Sequence, residues 1–261
     1  MVKGKKKIFS NIYLVLVFIF LYAPIFALAL FSFNDSKSMA RWNGFTFKWY
    51  VELFQNDRIL SALITTVLVA ILASIIATII GTISAIGINK MSGSKKALML
   101  NINYLPVLNP DIVTAIGLMI LFIFFNMKLG FLTMLLAHIT FNIPYVVLSV
   151  LPKLKQMPAN IEDAAMDLGA KPLYTLWKIV IPQIKPGIVS GFLIAFTMSI
   201  DDFIISFFNT GNGVTNLSIE IYSMAKRGIK PEINALSTLM FITVLALLLL
   251  ANRKQSVVKG D

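Results

Sequence analysis

The chain has 261 residues, 57% of them apolar and only 13% charged. Soluble domains carry about 45–50% apolar and about 25% charged residues, so neither disorder nor an ordinary soluble domain fits. Cysteine is absent and His138 is the single histidine. That excludes a disulfide framework, a thiol nucleophile and a cysteine metal site, and leaves little for a Ser-His-Asp triad. The net charge of +11 would suit nucleic acid. In a chain this apolar it points first to basic loops beside membrane spans.

A spanning helix needs about 20 mostly apolar residues. The first such run, Ile8–Phe33, follows Lys5, Lys6 and Lys7. Ala27-Leu28-Ala29 looks like a signal cleavage site, but a signal h-region is only about 7–15 residues long, so the run reads as a retained first span. In the polar segment 34–58, Phe47, Tyr50, Val51 and Phe54 share one helical face. This predicts a short helix at the membrane surface, with Trp49 and Tyr50 as interfacial anchors or as contacts for a delivery protein.

The second run, Ile59–Ile88, places Thr66, Ala70, Ala73, Ala77, Gly81 and Ser84 three or four residues apart. Such a small-residue face lets another helix approach closely, in this chain or in a partner. The third run, Ala97–Phe125, contains Pro106 and Pro110 with Asn101, Asn103 and Asn109 nearby. Two prolines break a helix, and broken membrane helices either line substrate sites or merely shape packing. The fourth run, Leu129–Leu151, carries His138, which reads as a neutral packed residue rather than a proton relay. Ile188–Phe208 and Ala235–Ala251 complete six expected spans. Each must be helical, because unpaired backbone groups cannot face lipid. With the amino terminus inside, cytoplasmic segments hold 15 Lys and Arg residues and outer segments hold 8. That bias predicts both termini in the cytoplasm. The expected organisation is a first span with an outer amphipathic segment (1–58), a transmembrane core with a cytoplasmic loop at 152–187 (59–251) and a cytoplasmic tail (252–261).

An ionisable residue at membrane depth costs about 2.5–3.5 kcal/mol or more, so it is a functional candidate by default. Three qualify: Asp111, Asp201 and Asp202. Asp111 lies 14 residues past Ala97 and Asp201 lies 14 past Gly187. On straight helices both sit roughly 21 Å from the cytoplasmic end, at one depth. Ser199, Asp202, Ser206 and Asn209 recur as a helical stripe, which makes Asp202 the better candidate for a pathway. Asp201, near Ile204, Ile205 and Phe208, reads instead as a residue that pairs with a neighbouring chain. An intramembrane aspartyl protease using Asp111 and Asp202, or a proton-coupled carrier, are the alternatives from other classes.

The cytoplasmic segment 152–187 reads as a helix–turn–helix. Asn160 and Asp163 predict a capped start, Gly169 a left-handed end, and Leu173–Val180 a second short helix stopping near Pro182. Two alanines flanked by acids suit the close approach of a soluble partner, and equally an ordinary amphipathic cytoplasmic loop.

Asp163-Ala164-Ala165-x3-Gly169-x9-Ile179-x-Ile181-Pro182 resembles the EAA loop of ABC importer permeases, E-A-A-x3-G-x9-I-x-L-P. Asp163 stands for the usual Glu and Ile181 for the usual Leu. The stretch Ser199–Phe208, with Ile221-Tyr222-Ser223-Met224 and the segment 227–235, is similar to permeases of the spermidine/putrescine type. The resemblance implies an all-α, six-span type I importer permease (MetI-like) fold in a prokaryotic plasma membrane. It implies a transport subunit rather than an enzyme, with Glu162, Asp163, Ala164, Ala165, Gly169 and Pro182 coupling it to an ATPase. It implies as partners a second permease subunit, a homodimeric cytoplasmic ABC ATPase and an extracytoplasmic polyamine-binding protein. No phosphate-binding G-x-x-x-x-G-K-[ST] loop occurs in the chain, so ATP and Mg belong with the partner ATPase. A polyamine path needs spaced carboxylates and aromatic faces. Asp111, Asp201, Asp202, Glu220, Ser199, Trp49, Tyr104 and Tyr222 are the candidates for it.

Overall fold

A computed structural model describes residues 2–36, 41–158, 160–227 and 231–257, with side chains for all of these except 2–10, 227, 244 and 247–257. In order the helices are α1 (Val2–Phe31), α2 (Lys48–Gln55), α3 (Asp57–Lys90), α4 (Gly93–Leu108), α5 (Asp111–Phe124) and α6 (Phe131–Gln156). Then follow α7 (Ile161–Asp167), α8 (Pro172–Thr175), a π-helical turn (Leu176–Val180), α9 (Ile181–Asp201), α10 (Ile204–Asn209), α11 (Leu217–Arg227) and α12 (Pro231–Val257). Two compact units emerge: Met1–Leu60 with Ile221–Asp261, and Ser61–Glu220.

Among the described residues, Asn11–Phe31, Asp57–Lys90, Phe131–Gln156 and the continuous stretch Pro172–Asp201 are long and apolar enough to cross a membrane. The expected third span is a broken pair: α4 and α5 meet at 106° and make a fifth crossing only if taken together. The expected sixth run lies within α12, part of which has no described side chains. Length and composition therefore support four or five crossings among the described residues.

Each break has a local cause. Pro106 is accommodated inside α4, and the chain turns at Asn109, which is extended at φ −79°, ψ 146°. A residue before proline is pushed out of the helical region, and Pro110 supplies that push. The expected single span Ile188–Phe208 is also two helices, because Asp202 is extended at φ −67°, ψ 125°. Conversely, no helix stops near Pro182. The π-helical turn just before α9 widens the backbone, and that is where the continuing helix takes in Pro182, which has no N–H to donate.

In the unit Ser61–Glu220, α3 and α9 both press onto α6. The small-residue face of α3 is buried within this chain: Thr66, Ala70, Ala73 and Ala77 are all enclosed. A Cβ at Gly81 would lie 2.7 Å from Val146 Cβ. A Cβ at Gly187 would lie 2.9 Å from the Ser149 carbonyl oxygen, and one at Gly191 would lie 3.2 Å from Val146 Cα. Ala77, Ala85 and Ile88 of α3 join Val146, Val147 and Val150 of α6 and Val180 and Ile184 in one core.

In the other unit the expected short helix forms as α2. Trp49 and Leu53 form its buried face, while Phe47, Val51 and Phe54 are exposed. Trp49 is only 4% exposed, and its Nε1–H donates to the Asn34 carbonyl at 2.8 Å. Its indole is therefore enclosed in the fold rather than offered as an interfacial anchor. Tyr50 OH pairs with Ser32 Oγ at 2.7 Å, and Phe33, Phe45, Phe47 and Tyr50 form an aromatic cluster.

The helix contacts lead to a prediction. Gly81→Ala will destabilise the detergent-purified protein by about 1–3 kcal/mol, the usual cost of overpacking. Gly87→Ala, where a Cβ meets nothing within 4 Å, will not. Thermal unfolding of the two variants in parallel checks the difference.

Candidate functional site

Several buried polar residues of the unit Ser61–Glu220 converge where α9 gives way to α10. Asp202 ends α9 and turns its carboxylate onto the start of α10. Oδ1 accepts from Ile205 N at 3.1 Å, and Oδ2 accepts from Ser206 N at 2.8 Å and from Ser206 Oγ at 3.0 Å. An anion at that position satisfies amides that have no partner inside the helix. Ser206 Oγ also accepts from Asn216 Nδ2 at 2.7 Å. Its one proton goes to Asp202, so His138 is the donor in the 2.8 Å contact between its Nε2 and Ser206 Oγ. His138 Nε2 lies 3.5 Å from Asp202 Oδ2, with the side chains 1% and 8% exposed.

The network spreads along α6. Asn142 Nδ2 donates to Ser199 Oγ at 2.7 Å, and Thr133 Oγ1 donates to the Asn209 carbonyl at 2.8 Å. Asn209 Nδ2 reaches the Ala115 carbonyl of α5 at 3.2 Å. Asn216 Oδ1 accepts from Ile219 N at 2.9 Å in the first turn of α11. The stripe Ser199, Asp202, Ser206 and Asn209 thus does share one side, and that side faces protein. The hydrogen bonds of the Asp202 carboxylate go to Ile205 and Ser206 of α10.

The other candidates divide by exposure. Asp201 and Asp111 present exposed side chains, Asp201 at the end of α9 and Asp111 as the first residue of α5. The common depth calculated from straight helices does not apply, since the 106° bend precedes Asp111. Glu220 is buried. Tyr104 and Tyr222 are exposed, and Lys226 Nζ lies 4.9 Å from the Tyr222 ring centroid. Ser206, already part of the sequence stripe, is joined in the network by Asn142 and Asn216, which the sequence reading does not single out. Asn142 lies four residues after His138, one helical turn along the same face, and that spacing was the available signal. Nothing local marks Asn216.

On the opposite side of the polar network in sequence, α7 and α8 form an exposed hairpin. Asn160 provides no side-chain cap: at φ −100°, ψ 7° it is not in the extended conformation a capping residue needs. A turn closed by Ile161 N onto the Pro158 carbonyl at 3.2 Å starts the helix instead. Its end is as expected. Gly169 takes φ +89°, and Ala170 N bonds the Ala165 carbonyl at 3.0 Å. A cleft of ≈ 500 Å³ lies between the arms, lined by Ala165, Leu168, Gly169, Ala170, Lys171, Tyr174 and Ile179. Leu168 is 90% exposed, and Leu173, Tyr174 and Trp177 are exposed beside it. Asp163 and Ala164 are exposed, and Pro182 is exposed at the start of α9. Glu162 is held by Lys90 at 2.7 Å. The hairpin thus carries an apolar, solvent-facing surface.

Apolar helices of spanning length with an exposed hairpin between two of them define a helical membrane protein. The chain belongs to the family of binding-protein-dependent transport system inner membrane components, whose model matches residues 77–258. It is similar to the spermidine/putrescine transport system permease protein PotC of Haemophilus influenzae, 38% identical over 92% of this chain and 94% of that one. It is also similar to the putrescine transport system permease protein PotI of Escherichia coli K12, 39% identical over 87% of this chain and 83% of that one. Among solved structures, a bacterial ABC transporter involved in alginate import matches with TM-score 0.74 at 16% identity, covering 97% of this chain and 96% of that one. An amino acid ABC transporter matches with TM-score 0.57 at 22% identity over 80% of this chain. These two likenesses concern the fold.

Asp202→Ala will remove the cap of α10 and strand the Ser206 hydroxyl, lowering stability by about 1–3 kcal/mol. Asp202→Asn, which keeps an acceptor oxygen, will lose less. Unfolding midpoints in detergent order wild type, Asn and Ala if the cap is the main role.

Proposed function

We propose that this chain is the permease subunit of an ATP-driven importer of polyamines of the spermidine and putrescine class. It pairs with a second permease subunit in a prokaryotic plasma membrane, with six spans and both termini in the cytoplasm. An extracytoplasmic polyamine-binding protein delivers the solute. A homodimeric cytoplasmic ATPase binds ATP and Mg and docks on the α7–α8 hairpin. The observation that carries this reading is the hairpin itself: a glycine-closed turn with Leu168 almost fully exposed at its apex. The motor lies outside this chain, and the exposed apolar surface is what such a motor would grip.

The polyamine class is supported by the relatives at 38% and 39% identity and by the chemistry of the candidates. Asp111 and Asp201 are the carboxylates this reading assigns to ammonium groups in transit. Ser199 and Asp202 hold the α9–α10 junction behind Asp201. Glu220 and Tyr222 lie along α11, and Trp49 acts by fixing the outer segment. A substrate of spaced ammonium groups suits separated carboxylates.

Deleting the gene will abolish uptake of radiolabelled spermidine or putrescine in a strain without a redundant route, and ATP depletion will abolish it in the intact strain. Undiminished polyamine uptake on deletion moves the substrate to another small solute of the same transporter class. Gly169→Pro will abolish uptake while membrane abundance stays normal, because the left-handed φ is closed to proline. Wild-type uptake in that variant would sink the coupling role of the hairpin.

A further inference from the structure

The coupling hairpin is joined to the membrane unit twice by the chain itself, through the end of α6 and through α8 into α9. The long helix α3 does not run directly into it. A non-covalent contact joins the two: Lys90 Nζ lies 2.7 Å from Glu162 Oε2, 72 residues away in sequence. We propose that this ion pair is a tether that carries displacement of α7 into α3, so that Lys90 and Glu162 are positioning residues for transport. The proposal rests on reading α7 as the ATPase-docking helix.

The placement of the charges supports it. Lys90 is the last residue of α3, and Glu162 lies in the first turn of α7. A cation is favoured at a helix carboxyl end and an anion at an amino end, so both helix dipoles hold the two groups where they meet. Lys96 Nζ also donates to the Asn89 carbonyl at 3.1 Å, which ties off the same end of α3. Ile88, two residues before Lys90, is buried in the core shared with Val150 and Leu154 of α6 and Val180 and Ile184 near the start of α9. A pull on Lys90 therefore acts on the packed end of α3 rather than on a loose tail.

The side chains are not deeply buried, at 60% exposure for Lys90 and 27% for Glu162. Pairs this exposed add little to folding stability. Removing the pair should leave assembly intact and change coupling, which is the signature of a positioning role.

The test uses the full complex in proteoliposomes, with spermidine-loaded binding protein outside and ATP at the ATPase. Lys90→Glu and Glu162→Lys each keep the ATPase bound and hydrolysing, yet lower spermidine imported per ATP hydrolysed by about five-fold or more. The paired swap, Lys90→Glu with Glu162→Lys, restores most of the ratio, and Lys90→Arg stays near wild type. Unchanged ratios in the single variants overturn the tether. So does a paired swap that assembles normally yet stays as low as the singles, because Glu162 would then be acting on the ATPase directly. Leu168→Arg separates the underlying reading: loss of the ATPase on co-purification supports docking at α7. Retention of the ATPase by that variant overturns docking, and the tether with it.

Discussion

Everything in the membrane unit leans on how closely α3 and α9 approach α6. In lipid there is no hydrophobic force between helices, so dispersion at short range and hydrogen bonds must hold them together. Gly81, Gly187 and Gly191 present bare backbone to Val146, Ser149 and Val150, where any Cβ would sit 2.7–3.2 Å from its neighbour. That proximity makes one continuous core from Ala77 on α3 to Ala195 on α9. It also puts Asn142 and His138 of α6 within hydrogen-bonding reach of Ser199 and Ser206. The glycine contacts and the polar network are thus two consequences of one approach.

A membrane unit can interrupt its helices only where the freed backbone groups find partners. At the α9–α10 junction Asp202 supplies them, and the same carboxylate is in turn satisfied by Ser206 and neighboured by His138. A buried charge without such partners would be prohibitive. At α4–α5 the interruption follows from Asn109-Pro110, and it leaves Asp111 exposed at the head of α5. Before α9 the π-helical turn lets the helix run on through Pro182. That continuity joins the hairpin arm α8 to α9 without a break.

The α7–α8 hairpin is closed locally and exposed along its apolar residues. Its turn is closed by main-chain bonds around Gly169. Its apolar residues, Leu168, Leu173, Tyr174 and Trp177, are held out in solvent rather than folded back. A surface of that kind is stable in the cell only with something covering it. The family to which the chain belongs is built for a multi-subunit transporter, which makes the uncovered surface intelligible.

Much of this was available from the sequence. Apolar runs of sufficient length, the basic residues between them, the Gly169 turn and the spacing Asp163-Ala164-Ala165…Pro182 are local patterns, and local backbone chemistry decides them. The small-residue stripe on α3 was readable as a packing face because helical period is local too. What only the tertiary structure decided was the destination of side chains. Helical arithmetic grouped Ser199, Asp202, Ser206 and Asn209, but it took the approach of α6 to turn that face inward and make Asp202 a cap, leaving Asp201 exposed. Trp49, expected at the interface, is enclosed because Asn34 offers its carbonyl fifteen residues away. Asn216 joins the network and Lys90 meets Glu162 across separations that no window of sequence spans. Periodicity tells which residues share a face. Which face meets protein, lipid or solvent depends on contacts between distant segments, and those exist only once the chain has folded.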